Sequence, residues 1–215
     1  MDIRKTSDSD INSVCKLHEE YINSGFLSSL GTTFSKIMYR SLGDFEKGIL
    51  LVAEHEGEVV GFISGAEKVG EFRKHFLKNN FFRLVFVLLP KVFNIAVIKK
   101  ILETEKYSKN NLENPVPSAE LLSMAVREGF QGKGVANQLF EKLCIEFQNK
   151  GINEFKIIAG NKLLKANRFY LKMGCVKVCE IEVHKGERSG VYTFKTQVSL
   201  PKDGRVSSGQ ENKRD

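Results

Sequence analysis

Apolar and polar positions follow two rhythms along this chain, and the rhythm changes at nearly every turn signal. IRKTSD opens as a short strand, and Ser7 to Asp10 supply side chains suited to capping a helix. Ile11, Val14, Cys15, His18 and Ile22 then share one helical face. After the Gly/Ser-rich turn NSGFLSSLGTT, Phe34, Ile37, Met38 and Leu42 repeat that spacing. ILLVAE and EVVGFISGA read as two strands joined in a tight hairpin at His55-Glu56-Gly57. Residues 119–126 make a further strand. Residues 134–149 make the most regular helix, with Val135, Ala136, Leu139, Phe140, Leu143, Cys144 and Phe147 on one face and Lys150-Gly151 as its end. EFKIIAG reads as a buried strand and LLKANRFYLKMG as a short helix closed by Gly174. VKVCEIEVH and GVYTFKTQVSL form a last hairpin around Lys185-Gly186-Glu187.

Residues 68–118 break this order. Residues 71–102, EFRKHFLKNNFFRLVFVLLPKVFNIAVIKKIL, mix Phe, Val and Leu with Lys and Arg. The apolar run Leu84 to Leu89 is far shorter than the roughly 20 residues of a spanning helix, and Arg83, Pro90 and Lys91 bound it. Two readings stay open. One is a pair of amphipathic helices packed as a lid or at a homodimer interface. The other is a surface that touches a membrane or a lipid-linked substrate.

Length and composition narrow the class. The chain has 215 residues, 41% hydrophobic and 27% charged, which suits one soluble domain over residues 1–200. The polar stretch 201–215 reads as a disordered tail. The N-terminus lacks an apolar leader, and Cys15, Cys144, Cys175 and Cys179 form no CxxC pair and no zinc spacing. A cytoplasmic protein with reduced thiols and no metal is the expectation. Charge is uneven: residues 1–66 carry net −4, residues 67–118 net +5 and residues 119–215 net +6. A basic second half suits an anionic ligand. Basic residues do not run among aromatics outside the middle segment, so no nucleic acid partner is expected.

The chemistry concentrates in REGFQGKGVANQLFEKL, residues 127–143, directly after AELLSMAV. Gly129, Gly132 and Gly134 fall within six residues, where a strand hands over to a helix. Glycine there lets unpaired N–H groups and the helix dipole converge on one anion, a pyrophosphate site, with Gln131 and Lys133 as donors at its edge. A P-loop is excluded because Gly134, not Ser or Thr, follows Lys133. A dinucleotide fingerprint is excluded because Asn137 stands where its last glycine belongs.

Gln131-Gly132-Lys133-Gly134-Val135-Ala136 matches the Q/R-x-x-G-x-G/A signature of the GCN5-related N-acetyltransferase (GNAT) superfamily. Ala166-Asn167-Arg168-Phe169-Tyr170-Leu171-Lys172-Met173-Gly174 resembles its second signature, in the right order. The resemblance covers residues 1–66 and 119–200. It implies an α/β fold with a mixed, mostly antiparallel central sheet of about seven strands flanked by helices, with a helical insertion between the third and fourth strands. It further implies acetyl-CoA as acetyl donor and direct transfer to a primary amine of a small molecule in a ternary complex. In the family a bulge splays the fourth strand from the fifth. The matching backbone of Met124, Ala125 and Val126 would hold the pantetheine and polarise the thioester, and Gln131, Gly132, Lys133, Gly134, Val135 and Ala136 would hold the pyrophosphate. Asn167 is a candidate contact to the cofactor arm or a surface helix residue. Tyr170 matches the general acid that protonates the departing thiolate. Glu120 is the first candidate base and Glu54 the second, with a water chain as a third route.

The chain departs from the pattern at Leu163, where many relatives carry Asn, and at Cys175, where Phe is common. Helical spacing puts Tyr170 on the face of Leu163, Ala166 and Met173. The segments that border the acceptor in the family offer Ser28, Ser29, Thr32, Thr33, Tyr39 and Tyr192 rather than carboxylates. The wording FLSSLGTTF…Y, with the basic insertion and the AELLSMAV strand, is similar to members from surface-polysaccharide pathways, which suggests an amino-sugar nucleotide. A non-catalytic acyl-CoA-binding regulatory module is the competing reading.

Overall fold

The computed structural model describes residues 1–22, 30–92, 116–184 and 187–196. The expectations for Ser28 and Ser29, for residues 93–115, for the Lys185-Gly186 turn and for the 201–215 tail lie outside them. The elements run β1 (Asp2–Lys5), α1 (Ile11–Tyr21), α2 (Thr32–Asp44), β2 (Gly48–His55), β3 (Glu58–Ala66), α3 (Val69–Val92), β4 (Glu120–Val126), α4 (Val135–Asn149), β5 (Glu154–Gly160), α5 (Leu164–Lys172), β6 (Val176–His184) and β7 (Glu187–Lys195). Short 3-10 turns precede α1 at Asp8–Asp10 and follow β4 at Glu128–Phe130.

Seven strands form one sheet in the order β1-β2-β3-β4-β5-β7-β6. All neighbours are antiparallel except β4 and β5. The β2–β3 hairpin turns on Glu56 (φ 51°) and Gly57 (φ 80°), two left-handed residues whose twist matches that of the strands they join. The sheet buries both faces in its first half. α4 lays Val135, Leu139, Phe140, Leu143, Cys144 and Phe147 on one face, against Ile63, Leu121, Phe155 and Phe194. α1 and α2 cover the other with Val14, Cys15, Phe34, Met38, Tyr39 and Leu42 over Val52 and Phe62. Each large apolar side chain so buried contributes about 1.5–3 kcal/mol.

Three expectations change. β5 is not buried on both faces: Phe155, Ile157 and Ala159 are buried while Ile158 is exposed, because α1 and α2 pack over β2, β3 and β4 and leave that face of β5 uncovered by any described helix. The described part of the insertion is one 24-residue helix, α3, which runs on through Arg83 and Pro90, and the second helix expected after it lies outside the described residues. Its buried stripe is Phe72, Phe76, Asn80 and Leu84, at four-residue spacing, packed on α2. Leu163 does not share the buried face of Tyr170: it caps α5 and is 42% exposed.

Candidate active site

The centre of the sheet is a wedge. β4 and β5 pair only at Glu120–Lys156 and Leu121–Ile157, and from Leu122 onward they part. The cause is local. Against β3, Ser64 faces Ser123 and Gly65 faces Leu121, so Leu122 is an extra residue, a bulge that turns β4 away. Beyond it the ladder with β3 decides which amides face the gap. Arg127 N–H donates to Val60 O at 2.8 Å, so by the alternation of an antiparallel pair Ala125 also turns its amide to β3. Met124 and Val126 turn theirs into the gap. Of the three expected backbone donors, Ala125 is thus committed to the sheet.

The glycine loop closes the open end of the wedge. Gly132 (φ 75°) and Gly134 (φ 81°) occupy the left-handed region, while Gly129 sits in the 3-10 turn without needing it. A methyl group at any of the three would meet nothing within 4 Å, so open space fronts the loop. The first helical hydrogen bond of α4 is Gln138 N–H to Gly134 O, at 3.1 Å. The N–H groups of Val135, Ala136 and Asn137 therefore have no acceptor within the helix and point out of its positive end. This cradle fits a pyrophosphate. Gln131 and Lys133 are used differently from expectation. Gln131 Nε2 folds back to donate to Val126 O at 2.8 Å, bracing loop to strand, and Lys133 Nζ stands 5.4 Å from the Phe130 ring centroid.

α5 brings Tyr170 beneath the wedge. Its ring packs near Phe169 and Tyr192, and the residue is 6% exposed. Burial pushes its pKa up, aided by the neighbouring Cys175, so the phenol stays protonated at neutral pH. Its hydroxyl has no hydrogen-bond partner among the described residues, which is unusual for a buried polar group. Asn167 is fully employed instead: Nδ2 donates to Gly160 O at 3.0 Å and Oδ1 accepts from Tyr192 O–H at 2.9 Å, tying α5 to the end of β5 and to the middle of β7. Cys175 fills its buried position without a ring. Burial pushes the Cys15 thiol up to about 11 and the Cys175 thiol up to about 12, and Cys144 rises for the same reason, so none is poised as a thiolate nucleophile.

The base candidates separate. Glu120 lies at the closed end of the wedge, four residues and about 13 Å of strand before Met124. Lys156 Nζ stands 3.5 Å from its carboxylate, and burial raises its pKa against the pull of that lysine. Glu54 is drawn away to the edge of the sheet, where Arg4 binds it at 2.6 Å together with Asp10 at 2.7 Å.

Two tyrosines expected to face the acceptor do not. Tyr192 is buried on Asn167, and Tyr39 is fully buried beneath α1, while Thr32 and Thr33 are exposed at the start of α2. Tyr39 belongs to a polar network the sequence reading missed. His18 Nδ1 lies 2.6 Å from Tyr39 O–H, and Ser64 O–H donates to Ser123 O at 3.2 Å, with the Ser123 side chain beside the same tyrosine. Burial lowers the His18 pKa, keeping it neutral, and raises that of Tyr39. The network links α1, α2 and β3 to Ser123, the residue next to the bulge. Its only trace in the sequence is two polar side chains, His18 and Ser123, on faces that are otherwise apolar. A further tie joins α1 to the loop, where Glu128 N–H donates to Tyr21 Oη at 3.1 Å.

Solved structures share this architecture. An N-acetyltransferase from Staphylococcus aureus Mu50 superposes with a TM-score of 0.60 at 14% identity, covering 91% of this chain and 98% of that one. YncA from Salmonella typhimurium, solved with its cofactor acetyl-CoA, gives 0.58 at 15% identity over 94% and 98%. A ribosomal-protein-alanine N-acetyltransferase from Brucella melitensis gives 0.58 at 12%, over 91% and 99%. At such identities the likeness concerns the fold. A comparison with curated protein sequences gives no match. The sequence profile described as the acetyltransferase (GNAT) family matches residues 16–175, from α1 to Cys175, and spans both the wedge and the glycine loop. The chain belongs to the GNAT family of acetyltransferases, enzymes that draw their acetyl group from acetyl-CoA.

Proposed function

We propose that this chain transfers the acetyl group of acetyl-CoA directly to the primary amine of a small molecule, an amino-sugar nucleotide. The observation that carries the transfer reading is one alignment: open glycine loop, gap-facing amides of Met124 and Val126, and a Tyr170 hydroxyl with no partner among the described residues. The loop from Gly132 to Ala136 would hold the pyrophosphate. Met124 and Val126 would aim N–H groups at the thioester oxygen, where fixed donors are worth about 3 kcal/mol each against developing negative charge. Asn167 would keep α5 in register beneath the wedge, a support rather than a direct contact.

In direct transfer the amine nitrogen bonds to the acetyl carbon as the carbon–sulfur bond breaks. Tyr170 gives its phenolic proton to sulfur and recovers one from solvent. Glu120, its carboxyl made more basic by burial, receives the amine proton through intervening solvent, since the strand places it too far for contact. The amino-sugar nucleotide is favoured by the basic α3 beside the acceptor-side helices and by the absence of a carboxylate cluster there among the described residues. CoA-thiol release against amino-sugar nucleotides, polyamines, aminoglycosides, amino acids and short peptides tests the reading. Release with the sugar nucleotides alone supports it, whereas release with peptides or polyamines alone replaces the acceptor.

The exposed face of α3 supports a second reading, about place. Phe81, Phe82, Val85 and Phe86 stand out from the helix, with Phe82 83% and Phe86 84% exposed. Arg73, Lys74, Lys78 and Arg83 outnumber Glu71 on the same described helix, and no described helix is long and apolar enough to cross a membrane. Such a face complements an anionic bilayer surface, on which α3 would lie. Sedimentation with phosphatidylglycerol vesicles, lost with Phe82→Ser/Phe86→Ser, is the expected result. A concentration-dependent homodimer abolished by the same substitutions would replace it.

A further inference from the structure

Away from the wedge, α2 and α3 enclose a groove of about 340 Å³ that none of the residues assigned above to acetyl transfer lines. Its size is that of a small-ligand site. One stripe from each helix builds it. Lys36 and Arg40, four residues apart on α2, project into it together with Arg83 of α3, and Asp44 is the acid among its lining residues. Like charges at that helical spacing repel unless an anion lies between them. The counter-charge present is weak: Asp8 lies 3.6 Å from Arg40, both side chains largely in solvent, and neither Lys36 nor Arg83 has an ion pair among the described residues.

The floor adds a second demand. Asn80 is nine-tenths buried, and its Nδ2 donates to Ser41 Oγ at 3.3 Å and to Phe76 O at 3.1 Å. Its Oδ1 has no donor among the described residues. A buried carbonyl without a donor destabilises the folded state until something supplies one. The groove therefore asks for oxyanions at Lys36, Arg40 and Arg83, and for O–H or N–H donors at Asn80 and Asp44. A phosphate alone meets only the first requirement. A sugar bearing phosphate meets both.

We propose that the α2/α3 groove is a binding site for a phosphorylated, hydroxyl-rich small molecule of the sugar phosphate or sugar nucleotide class. The groove stands apart from the acetyl-transfer machinery, and the proposal goes beyond the acceptor reading given above, with which it shares only the class of ligand. The experiment must keep phosphate probes off the glycine loop, so calorimetric titrations are run on the full chain with CoA saturating. The probes are glucosamine 6-phosphate, inorganic pyrophosphate and glucosamine. Glucosamine 6-phosphate is expected to bind more tightly than the other two. Lys36→Ala/Arg83→Ala should weaken it at least tenfold while leaving CoA affinity and the melting temperature unchanged. Lys142→Ala/Lys172→Ala, which removes two charges remote from the groove, should leave it unaltered. No binding to the CoA complex, or equal weakening by both double variants, overturns the site. Pyrophosphate binding as tightly as the sugar phosphate overturns the sugar part. Failure of CoA itself to bind is a separate result, and it counts against the acetyl-transfer reading instead.

Discussion

Tyr170→Phe separates catalysis from stability because the structure gives the two effects opposite signs. The hydroxyl is buried and has no hydrogen-bond partner among the described residues, so removing it breaks no bond and spares the folded state a desolvated polar group. Such a group costs about 1–3 kcal/mol. The phenyl ring keeps its packing near Phe169 and Tyr192. Stability should therefore rise by about 1 kcal/mol, or about 2–4 °C in melting temperature for a domain of this size. Turnover should fall about 10²–10⁴-fold, the usual contribution of a positioned acid, with acetyl-CoA affinity kept. Tyr192→Phe is the control: it breaks the 2.9 Å bond to Asn167 and should lose about 1 kcal/mol. Thermal unfolding and CoA-thiol release on the same preparations give both readouts. If Tyr170→Phe melts lower than wild type, or keeps more than about a tenth of the turnover, the assignment of an idle hydroxyl reserved for chemistry is refuted. A non-catalytic acyl-CoA module would show the stability gain with no turnover to lose.

Three other outcomes follow from particular residues. Gly132→Ala and Gly134→Ala meet no steric neighbour but must adopt left-handed backbone, so each should cost about 1–2 kcal/mol of stability, and each should raise KM for acetyl-CoA at least tenfold with little change in kcat. His18 is held neutral by burial, so below its ordinary pKa of 6.5 the unfolded chain takes a proton that the native chain refuses. Unfolding free energies from urea titrations should fall as pH drops from 7.5 to 5.5, by at most about 1.4 kcal/mol per unit below 6.5, and His18→Gln should flatten that slope. Glu120→Gln should leave acetyl-CoA affinity intact and lower kcat about 10²-fold or more. It should also remove the acidic limb of the pH–kcat profile; an unchanged profile would assign the proton to another route.

The sequence alone determined what is local. Helical periodicity set α4 and its C-terminal glycine, alternation set the β2–β3 hairpin, and the spacing of Gly132 and Gly134 before an amphipathic run marked an anion cradle. Those features depend on residues a few positions apart, whose backbone preferences act before any tertiary contact forms. Two motifs in order then sufficed for the family. What the tertiary structure decided depends on register and on distant partners. The bulge at Leu122 is invisible in AELLSMAV, because it exists only relative to Ser64 and Gly65 on β3. That single extra residue opens the wedge and selects Met124 and Val126, not Ala125, to face it. Gln131 read as a phosphate donor until the end of β4 came within 2.8 Å of its amide. Tyr39 read as an acceptor-facing aromatic until α1 and β4 closed His18 and Ser123 upon it. In each case a side chain had several chemically sensible uses, and the partner that chose among them lay too far along the chain for any local pattern to reveal.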